Sequence, residues 1–439
     1  MTPHLLYGRS QIPVTIPSDA NVTVIRKPSM PTLTDPIAAV HAALGSPVAA
    51  LGSHVSPSLM ELARGSTIAC IAICDITRPV PNGLFLRPMI ETLVKGGISI
   101  SNITVLVATG LHRPNLDDEL LQLVGDPWVI ENVRVVNHDA RNDADHVELG
   151  VTPTRGTVVK LDRRFVEADI RIATGLVEPH FMAGYSGGRK VIAPGLAHAE
   201  TITTFHNCRF MADAKASNCN LAGNPLHEEQ LEIVKLLGGA LALNTVIDED
   251  RNLAMVNFGE ILHSHAQAVE FVQQYCRVGI DQRFETVVTS AAGYPLDKTY
   301  YQTIKGMVGA IGALQPGGNL IIVSECEEGL GSDEFVLAQQ RLIREGVAGF
   351  MDLIRDKSHA AIDEWQTQMQ IKAMEAGSIY LYSSLPPDQI QLTGVTPVDD
   401  LEETIANCVA TSAEKTLAII PEGPYVIPFY DPERVRGLG

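Results

Sequence analysis

Short apolar runs recur along the chain at spacings typical of alternating strands and helices. Each run is almost continuously apolar and rich in valine and isoleucine, as a strand buried on both faces requires. The eight runs cover residues 67–74, 103–109, 169–174, 241–247, 285–291, 318–324, 378–382 and 416–420. Between runs, as at 259–276, apolar residues recur at helical spacing. The pattern predicts an α/β protein with mainly parallel sheets, preceded by hairpin strands in 4–27.

A polar stretch at 277–285 interrupts this alternation, after one helix and before a fresh strand. We expect the domain boundary there. The prediction is a larger N-terminal α/β domain over residues 1–278 and a smaller C-terminal α/β domain over residues 284–439. The length of 439 residues agrees with this division, because a domain commonly holds about 150 residues.

Net charge and aromatic content limit the classes of partner that we expect this protein to bind. The chain has 33 basic and 51 acidic residues, a net charge of −18, and only 5% aromatic residues. Nucleic-acid binding needs a basic footprint, and single-strand binding adds stacking aromatics, so we expect no nucleic-acid partner. The acidity disfavours anionic membranes, and we find neither a signal peptide nor an apolar run of 18 residues. Seven cysteines, an odd number, are typical of a cytoplasmic protein with free thiols.

Polar residues follow several of the predicted strands, where open α/β sheets bind their ligands. Asp75 and Arg78 lie in the first such loop, which two prolines make rigid. Arginine binds a carboxylate or phosphate through two donors, so this loop suits anion recognition. An Asp–Arg pair that only braces the loop is the alternative.

Histidines follow two further strands, at His112 and His180. Histidine is the side chain best suited to exchange protons near neutral pH. Either one alone is more often an ordinary loop residue. Two of them at equivalent strand ends predict an acid–base pair.

A glycine-rich turn, AGYSGGRK at 183–190, ends in two cations. Backbone N–H groups at Gly187 and Gly188, beside Arg189 and Lys190, would form a phosphate cradle. The turn does not match the P-loop pattern, and no Gly-x-Gly-x-x-Gly precedes it. The Lys190 amine could also anchor a cofactor covalently. A tight turn with solvated charges is the alternative.

Other candidates carry weaker signals. Gln302 and Lys305 share one face of a predicted helix and would clamp a carboxylate, or be exposed helix residues only. His198 and His206 are about 12 Å apart along a predicted helix, so at most one binds a given metal ion. The acidic loop at 138–146 could hold a cation, although a solvated loop is the simpler interpretation.

The ordered motifs resemble the nickel-dependent lactate racemase (LarA-like) family. They are Asp-x-Thr-Arg-Pro at 75–79, Ala-Thr-Gly-x-His-Arg-Pro at 108–114, EPHFMAGYSGGRK at 178–190, Gly-Tyr-Pro-Leu-Asp at 293–297 and Tyr-Gln-x-x-Lys-Gly-Met at 301–307. The resemblance runs from about residue 67 to about residue 420, and its middle motif is long and specific. It implies two α/β domains with Rossmann-like sheets and an active site in the cleft between them.

The resemblance also implies a cofactor and residue roles. The cofactor is a nickel-pincer nucleotide, a pyridinium-3-thioamide-5-thiocarboxylate mononucleotide that holds nickel through two sulfurs and a ring carbon. By motif position, Lys190 resembles the lysine joined to it through the thioamide, and His206 resembles the histidine that completes the nickel coordination. His112 and His180 match the catalytic acid–base pair. The remaining implied assignments are Asp75, Thr77, Gly187, Gly188 and Arg189 for the cofactor, and Arg78, Tyr301, Gln302, Lys305 and Trp365 for the substrate.

The family implies racemisation of a small 2-hydroxy acid by hydride chemistry. One histidine takes the hydroxyl proton while hydride leaves C2 for the cofactor, and the second histidine acts as acid when hydride returns to the other face. Lactate is the substrate expected first, with malate or another hydroxy acid as the alternative. Ile76 stands where lactate enzymes often have His, and Thr299 where Asn is common. Arg87 adds a cation that could pair with a second carboxylate, or be a solvated helix residue.

Two interpretations of another class remain. A non-catalytic carrier of the pincer nucleotide would need Lys190 and His206 but not the histidine pair. A nicotinamide dehydrogenase would need the glycine motif that is missing here. We expect a small 2-hydroxy acid and the cofactor-synthesis proteins as partners, with a homo-oligomer left open. Arg113 and the other strand-end cations predict a locally positive cleft within an acidic shell.

Overall fold

The computed structural model describes residues 2–49 and 56–431. They form two compact units, each with its own six-stranded sheet. The first unit holds residues 29–206 and 215–274, and the second unit holds residues 2–28, 207–214 and 275–431.

The strands and helices alternate along most of the chain. The strands are β1 (His4–Tyr7), β2 (Ser10–Pro13), β3 (Asn21–Val24), β4 (Ala69–Cys74), β5 (Ile103–Ala108), β6 (Arg134–Asn137), β7 (His146–Val151), β8 (Val158–Asp162), β9 (Ile170–Leu176), β10 (Pro179–His180), β11 (Gly184–Tyr185), β12 (Leu241–Ile247), β13 (Leu253–Glu260), β14 (Arg277–Ile280), β15 (Phe284–Ser290), β16 (Leu314–Val323), β17 (Gly377–Tyr382), β18 (Thr396–Pro397), β19 (Thr416–Ile420) and β20 (Ile427–Tyr430). The helices are α1 (Pro36–Gly45), α2 (Leu59–Ala63), α3 (Asn82–Lys95), α4 (Asp117–Val124), α5 (Pro127–Asn132), α6 (Arg163–Val166), α7 (Arg189–Ile192), α8 (Ala199–Phe205), α9 (Cys208–Ala212), α10 (Pro225–Leu237), α11 (Ile261–Cys276), α12 (Tyr300–Ala310), α13 (Asp333–Ile354), α14 (Glu364–Ala376), α15 (Pro387–Ile390) and α16 (Leu401–Thr411).

The first unit is built on the sheet β13-β12-β9-β4-β5-β6. All neighbouring strands are parallel except β12 and β13, which pair antiparallel at one edge. Ile71 and Ile73 of β4 belong to a core cluster that includes Phe85 and Met89 of α3. The continuous apolar run at 67–74 therefore forms a strand covered on both faces.

The second unit is built on the sheet β18-β17-β16-β15-β19-β3, in which every neighbouring pair is parallel. Val288 and Ile419 belong to its core cluster, which also takes in Leu5 from the hairpin β1–β2 and Ile405 from α16. In the described residues, no helix is long and apolar enough to cross a membrane.

The predicted α/β class with mainly parallel sheets is confirmed, and each of the eight apolar runs coincides with a strand. The units differ from the continuous ranges 1–278 and 284–439 that the sequence suggests. The reason is β3, which pairs with β19 through Asn21 to Val24, almost four hundred residues away in sequence. Residues 2–28 consequently belong to the second unit, and so does the short segment 207–214.

Candidate active site

Three parallel strands of the first unit deliver the candidate residues to one edge of their sheet. β4 lies between β5 and β9 and pairs with both. Asp75 follows β4, His112 lies in the loop after β5, and Glu178 and His180 follow β9. The carboxyl ends of parallel neighbours meet at the same edge, so the sheet brings these loops together as expected.

The Asp75 carboxylate holds His112. One carboxylate oxygen, Oδ2, lies 2.5 Å from Nδ1 of His112, and the other accepts a hydrogen bond from the Thr77 hydroxyl at 2.6 Å. Burial by itself would raise the pKa of Asp75. The neighbouring His112, the hydrogen bonds from His112 and Thr77, and the charge of Arg78 outweigh it and lower that pKa to about 2. Asp75 is therefore ionised at neutral pH. Its carboxylate is buried, whereas the side chain of His112 is 39% exposed.

His180 lies in a different environment. It is buried at 7% exposure, in the two-stranded hairpin β10–β11. Its Nδ1 accepts hydrogen bonds from the backbone N–H groups of Met182 and Ala183, at 3.3 and 3.2 Å. The Phe181 ring packs against it with 5.1 Å between centroids. The turn that follows His180 therefore fixes the orientation of its ring.

Arg78 lies between two carboxylates. Its Nε is 3.7 Å from Oε1 of Glu178, and its charge contributes to the low pKa of Asp75. The Arg78 side chain is only 14% exposed, so the guanidinium is held against the loops. Glu178 was not singled out from the sequence, although it begins the motif EPHFMAGYSGGRK. Its proximity to Arg78 is a tertiary contact that spacing cannot reveal.

The glycine-rich turn at 183–190 packs closely against His265 of the first unit. Gly187 and Gly188 have φ of +73° and +49°, values that favour glycine. A Cβ on Gly188 would lie 2.7 Å from the ring of His265. The buried Arg189 guanidinium donates to the carbonyls of Ala183 and Tyr185, at 2.9 and 3.2 Å. Burial lowers the pKa of Arg189 to about 9. Arg189 thus stabilises the turn by donating to two carbonyls of the turn. The prediction of a phosphate cradle did not include this role.

Lys190, in the short helix α7, carries an unusually acidic ammonium. Burial first, and then the charge of Arg78, lower the pKa of Lys190 to about 7. The charges of Arg189 and Asp75 also act on Lys190, so it lies beside the loop of Asp75 and Arg78. A large fraction of this amine is neutral at pH 7, and the neutral form is the nucleophile.

His206 follows α8 and is also buried. Its Nδ1 lies 2.9 Å from the carbonyl of Ile202, to which it donates, so the ring lone pair is on Nε2. Burial and, to a smaller extent, the charge of Lys190 outweigh the hydrogen bond to Ile202 and lower the pKa of His206 to about 3. The ring is therefore neutral at pH 7, as a metal ligand must be.

The second unit brings its own candidates together on α12 and α14. Thr299 caps α12, Tyr301 lies in its first turn, and Trp365 Nε1 donates to the Tyr301 hydroxyl at 3.3 Å. Gln302 and Lys305 are buried at 7% and 9% exposure. Within the described residues, Oε1 of Gln302 is buried without a hydrogen-bond partner. The alternative of exposed helix residues is therefore wrong for Gln302 and Lys305.

Several other sequence candidates have ordinary structural partners. Arg87 is exposed on α3, where it donates to Glu91 at 2.9 Å and lies over the Trp128 ring. Arg113 pairs at 2.6 Å with Glu119, which lies in the first turn of α4.

The loop at 138–146 carries buried histidines rather than a cluster of acidic ligands. Nε2 of His138 lies 3.0 Å from Nε2 of His146, and the His198 ring packs edge-on against His146. Over residues 2–49 and 56–431, no group of three or more histidine, cysteine or acidic side chains is arranged to hold a metal ion.

Comparison with known proteins identifies the family of this chain. Residues 7–218 match the family model for the lactate racemase N-terminal domain, and residues 281–427 match that for the lactate racemase C-terminal domain. Curated lactate racemases of Thermoanaerobacterium thermosaccharolyticum and Lactiplantibacillus plantarum are 32% and 30% identical. The two alignments cover 84% and 85% of this chain, and 86% and 87% of those proteins.

Solved structures give the same result. The lactate racemase apoprotein of T. thermosaccharolyticum superposes with a TM-score of 0.86 at 28% identity, over 98% of this chain and all of that one. A Thermotoga maritima protein shares the fold alone, with a TM-score of 0.67 at 18% identity, over 85% of this chain and 96% of that one. The expected family and the expected isomerase class are both confirmed. The chain belongs to the lactate racemase family.

Proposed function

We propose that this protein racemises a small, lactate-like 2-hydroxy acid, with His112 and His180 as its acid–base pair. The observation that supports it is that both histidines follow the carboxyl ends of parallel strands of one sheet, β5 and β9 on either side of β4, with one histidine held by an ionised carboxylate and the other by backbone amides. Removing the hydrogen of C2 from either face requires a proton acceptor for the hydroxyl of either enantiomer, and two histidines meet that need.

Arg78 is proposed to bind the substrate carboxylate. A guanidinium binds a carboxylate through two parallel hydrogen bonds, which fixes both position and orientation. Glu178, 3.7 Å from Arg78, restricts where that guanidinium can point. The other proposed substrate residues, all in the second unit, are Tyr301, Gln302, Lys305 and Trp365. Among the described residues, Gln302 Oε1 is buried without a hydrogen-bond partner, which supports a ligand beside Gln302.

Lys190 and His206 fit the nickel-pincer nucleotide that the family resemblance implies. The pKa of Lys190 near 7 leaves about half of its amine neutral at pH 7, which suits attachment through a thioamide nitrogen, and His206 has its lone pair on Nε2. When bound, the cofactor would accept the hydride of C2 and return it. Asp75, Thr77, Gly187, Gly188 and Arg189 remain the proposed cofactor neighbours. For Asp75 and Arg189 the contacts within the chain favour a supporting role, since each already holds part of the site.

Chiral chromatography of cofactor-loaded enzyme with a panel of 2-hydroxy acids tests the proposal. We expect each lactate enantiomer to be converted to the racemate. His112→Gln and His180→Gln should each lower kcat by about 10²–10⁴-fold while the cofactor stays bound. Racemisation at the wild-type rate in either variant would remove that histidine from the mechanism. Intact mass spectrometry should show the covalent cofactor in these variants and its loss in Lys190→Ala.

The alternatives are weaker on specific grounds. A non-catalytic carrier has no use for the Asp75–His112 pair. Malate loses the residue that suggested it, because Arg87 is engaged by Glu91 and Trp128.

We also propose a cytoplasmic enzyme that receives its cofactor from separate synthesis proteins. None of the cysteines, which all lie in the described residues, forms a disulfide, and this is compatible with a reducing compartment.

A further inference from the structure

The two candidate histidines present opposite ring nitrogens to the protein's hydrogen-bonding groups. Nδ1 of His112 faces a carboxylate, which only accepts hydrogen bonds. Nδ1 of His180 faces two backbone N–H groups, which only donate them. We propose that the resting enzyme holds these histidines in opposite neutral tautomers, with a bare Nε2 on His112 and a protonated Nε2 on His180, and that Asp75 is the positioning residue that sets the first. The catalytic roles that follow from these tautomers rest on the proposed function.

The contacts of Asp75 determine the tautomer of His112. Its Oδ1 accepts from the hydroxyl and the backbone N–H of Thr77, at 2.6 and 3.2 Å. Its Oδ2 is 2.5 Å from Nδ1 of His112. Since the carboxylate is ionised at neutral pH, the hydrogen between them belongs to Nδ1. The lone pair of the ring is then on Nε2, where a proton can be accepted.

The contacts of His180 favour the opposite tautomer. Backbone N–H groups cannot accept a hydrogen bond, so both Met182 and Ala183 require a lone pair on Nδ1. The ring is buried, and leaving those two amides unsatisfied there would cost free energy. The neutral ring of His180 therefore carries its hydrogen on Nε2.

The opposite tautomers give the two histidines different roles at the start of turnover. The substrate hydroxyl gives its proton to Nε2 of His112, and the cofactor, when bound, would supply the acceptor for the hydride of C2. The resulting imidazolium is stabilised by Asp75. His180 meanwhile donates a hydrogen bond through Nε2. It can accept a hydroxyl proton there only after its own hydrogen has moved to Nδ1, which requires the turn to release that nitrogen.

Nitrogen NMR of the full chain, labelled with ¹⁵N-histidine, reads the tautomers without any need for activity. Long-range ¹H–¹⁵N spectra distinguish a protonated ring nitrogen from a bare one, and His112→Gln and His180→Gln assign the resonances. We expect a protonated Nδ1 in His112 and a protonated Nε2 in His180. The same tautomer in both rings would overturn the proposal. If the tautomers are opposite but no hydroxy acid is racemised, the proposed function fails and the assignment of hydrogens stands.

Asp75→Asn tests the positioning role. Thr77 should keep the amide oxygen of the new side chain, so that its NH₂ group faces His112 and turns Nδ1 into an acceptor. We expect the His112 tautomer to invert, kcat to fall about 10²–10⁴-fold, and KM to change much less. The matched control is Asp169→Asn, since Asp169 also accepts two backbone hydrogen bonds, from Thr67 and Ile68, with no histidine partner.

The control should leave both histidine spectra unchanged. An unaltered His112 spectrum in Asp75→Asn would show that Asp75 does not set the tautomer. If Asp75→Asn does not fold, the wild-type spectrum alone decides between opposite and equal tautomers.

Discussion

Lys190 is the residue at which burial changes reactivity most directly. An ordinary lysine has a pKa near 10.4, whereas burial and Arg78 lower that of Lys190 to about 7. We predict that the rate of Lys190 acetylation by a small reagent levels off near pH 7 to 8 and does not keep rising to pH 10, as followed by peptide mass spectrometry.

Lys95, which is exposed on α3, serves as the reference lysine for that measurement. Lys190→Arg should remove the component that levels off and leave the labelling of Lys95 unchanged. A Lys190 rate that rises steadily to pH 10 would contradict the lowered pKa.

Individual site residues could be predicted from the sequence when they stand in a motif at a strand end, as His112, His180 and Lys190 do. The partners of these residues could not be predicted from the sequence. Asp75 and His112 are 37 residues apart, and Glu178 meets Arg78 from a hundred residues away. His265 lies in α11, almost eighty residues from the glycine-rich turn, yet its ring packs against Gly188 and lies 3.0 Å from Arg189. Such contacts depend on how strands are ordered in the sheet, which local patterns do not encode.

At the scale of elements, Asn224 links the start of α10 to the turn after His180. Its Oδ1 accepts from the N–H groups of Leu226 and His227, and its Nδ2 donates to the Met182 carbonyl at 2.8 Å. Because Asn224 is fully buried, its removal leaves donors and an acceptor unsatisfied. We predict that Asn224→Ala lowers the free energy of unfolding by about 2–3 kcal/mol in urea titrations.

The exposed cap of α1 provides the control for that change. Asp35 accepts from the N–H of Ala38, at 2.9 Å, at an exposed position where water can replace it. Asp35→Ala should cost about 1 kcal/mol or less. Equal losses in the two variants would mean that the link from Asn224 to the turn contributes nothing.

The elements themselves were predicted more successfully than their arrangement. The strands buried on both faces are visible because their apolar runs are continuous, as in β4 and β19. The edge strands β6 and β18 were missed, since they are short and partly exposed. The antiparallel β13 was missed as well, because a single edge strand leaves no mark on the alternation of strands and helices.

At the scale of the whole molecule, the N-terminal segment completes the second unit. Leu5 is fully buried in the core cluster that contains Val288 and Ile419. Leu5→Ala should destabilise this unit by about 3 kcal/mol, because it leaves a cavity in a packed core. Hydrogen-exchange mass spectrometry should show faster exchange in β15 and β19. Leu337→Ala, at an exposed position of α13, should have no such effect. Faster exchange confined to β1 and β2 would contradict this assignment of residues 2–28.

Buried histidines make the whole first unit sensitive to acid. Burial, together with the charges of His146 and Arg164, lowers the pKa of His138 to about 3. Burial and Arg189 lower that of His227 to about 3, and they lower that of His265 well below its usual value. The unfolded chain, with histidine pKa values near 6.5, binds more protons than the folded one below that pH. The free energy of unfolding should therefore be fully retained above pH 6.5 and fall as the pH drops from 6.5 towards 3.

Each such histidine contributes up to about 1.4 kcal/mol per pH unit within that window. The measurement is a series of urea titrations of the cofactor-free protein between pH 7 and pH 4. His138→Gln should reduce the slope of stability against pH, because it removes one of the groups that takes up a proton on unfolding. His41→Gln, at an exposed position of α1, should leave the slope unchanged. A stability that is constant over this range would show that the buried rings are already protonated in the folded protein, or that they open to solvent without unfolding.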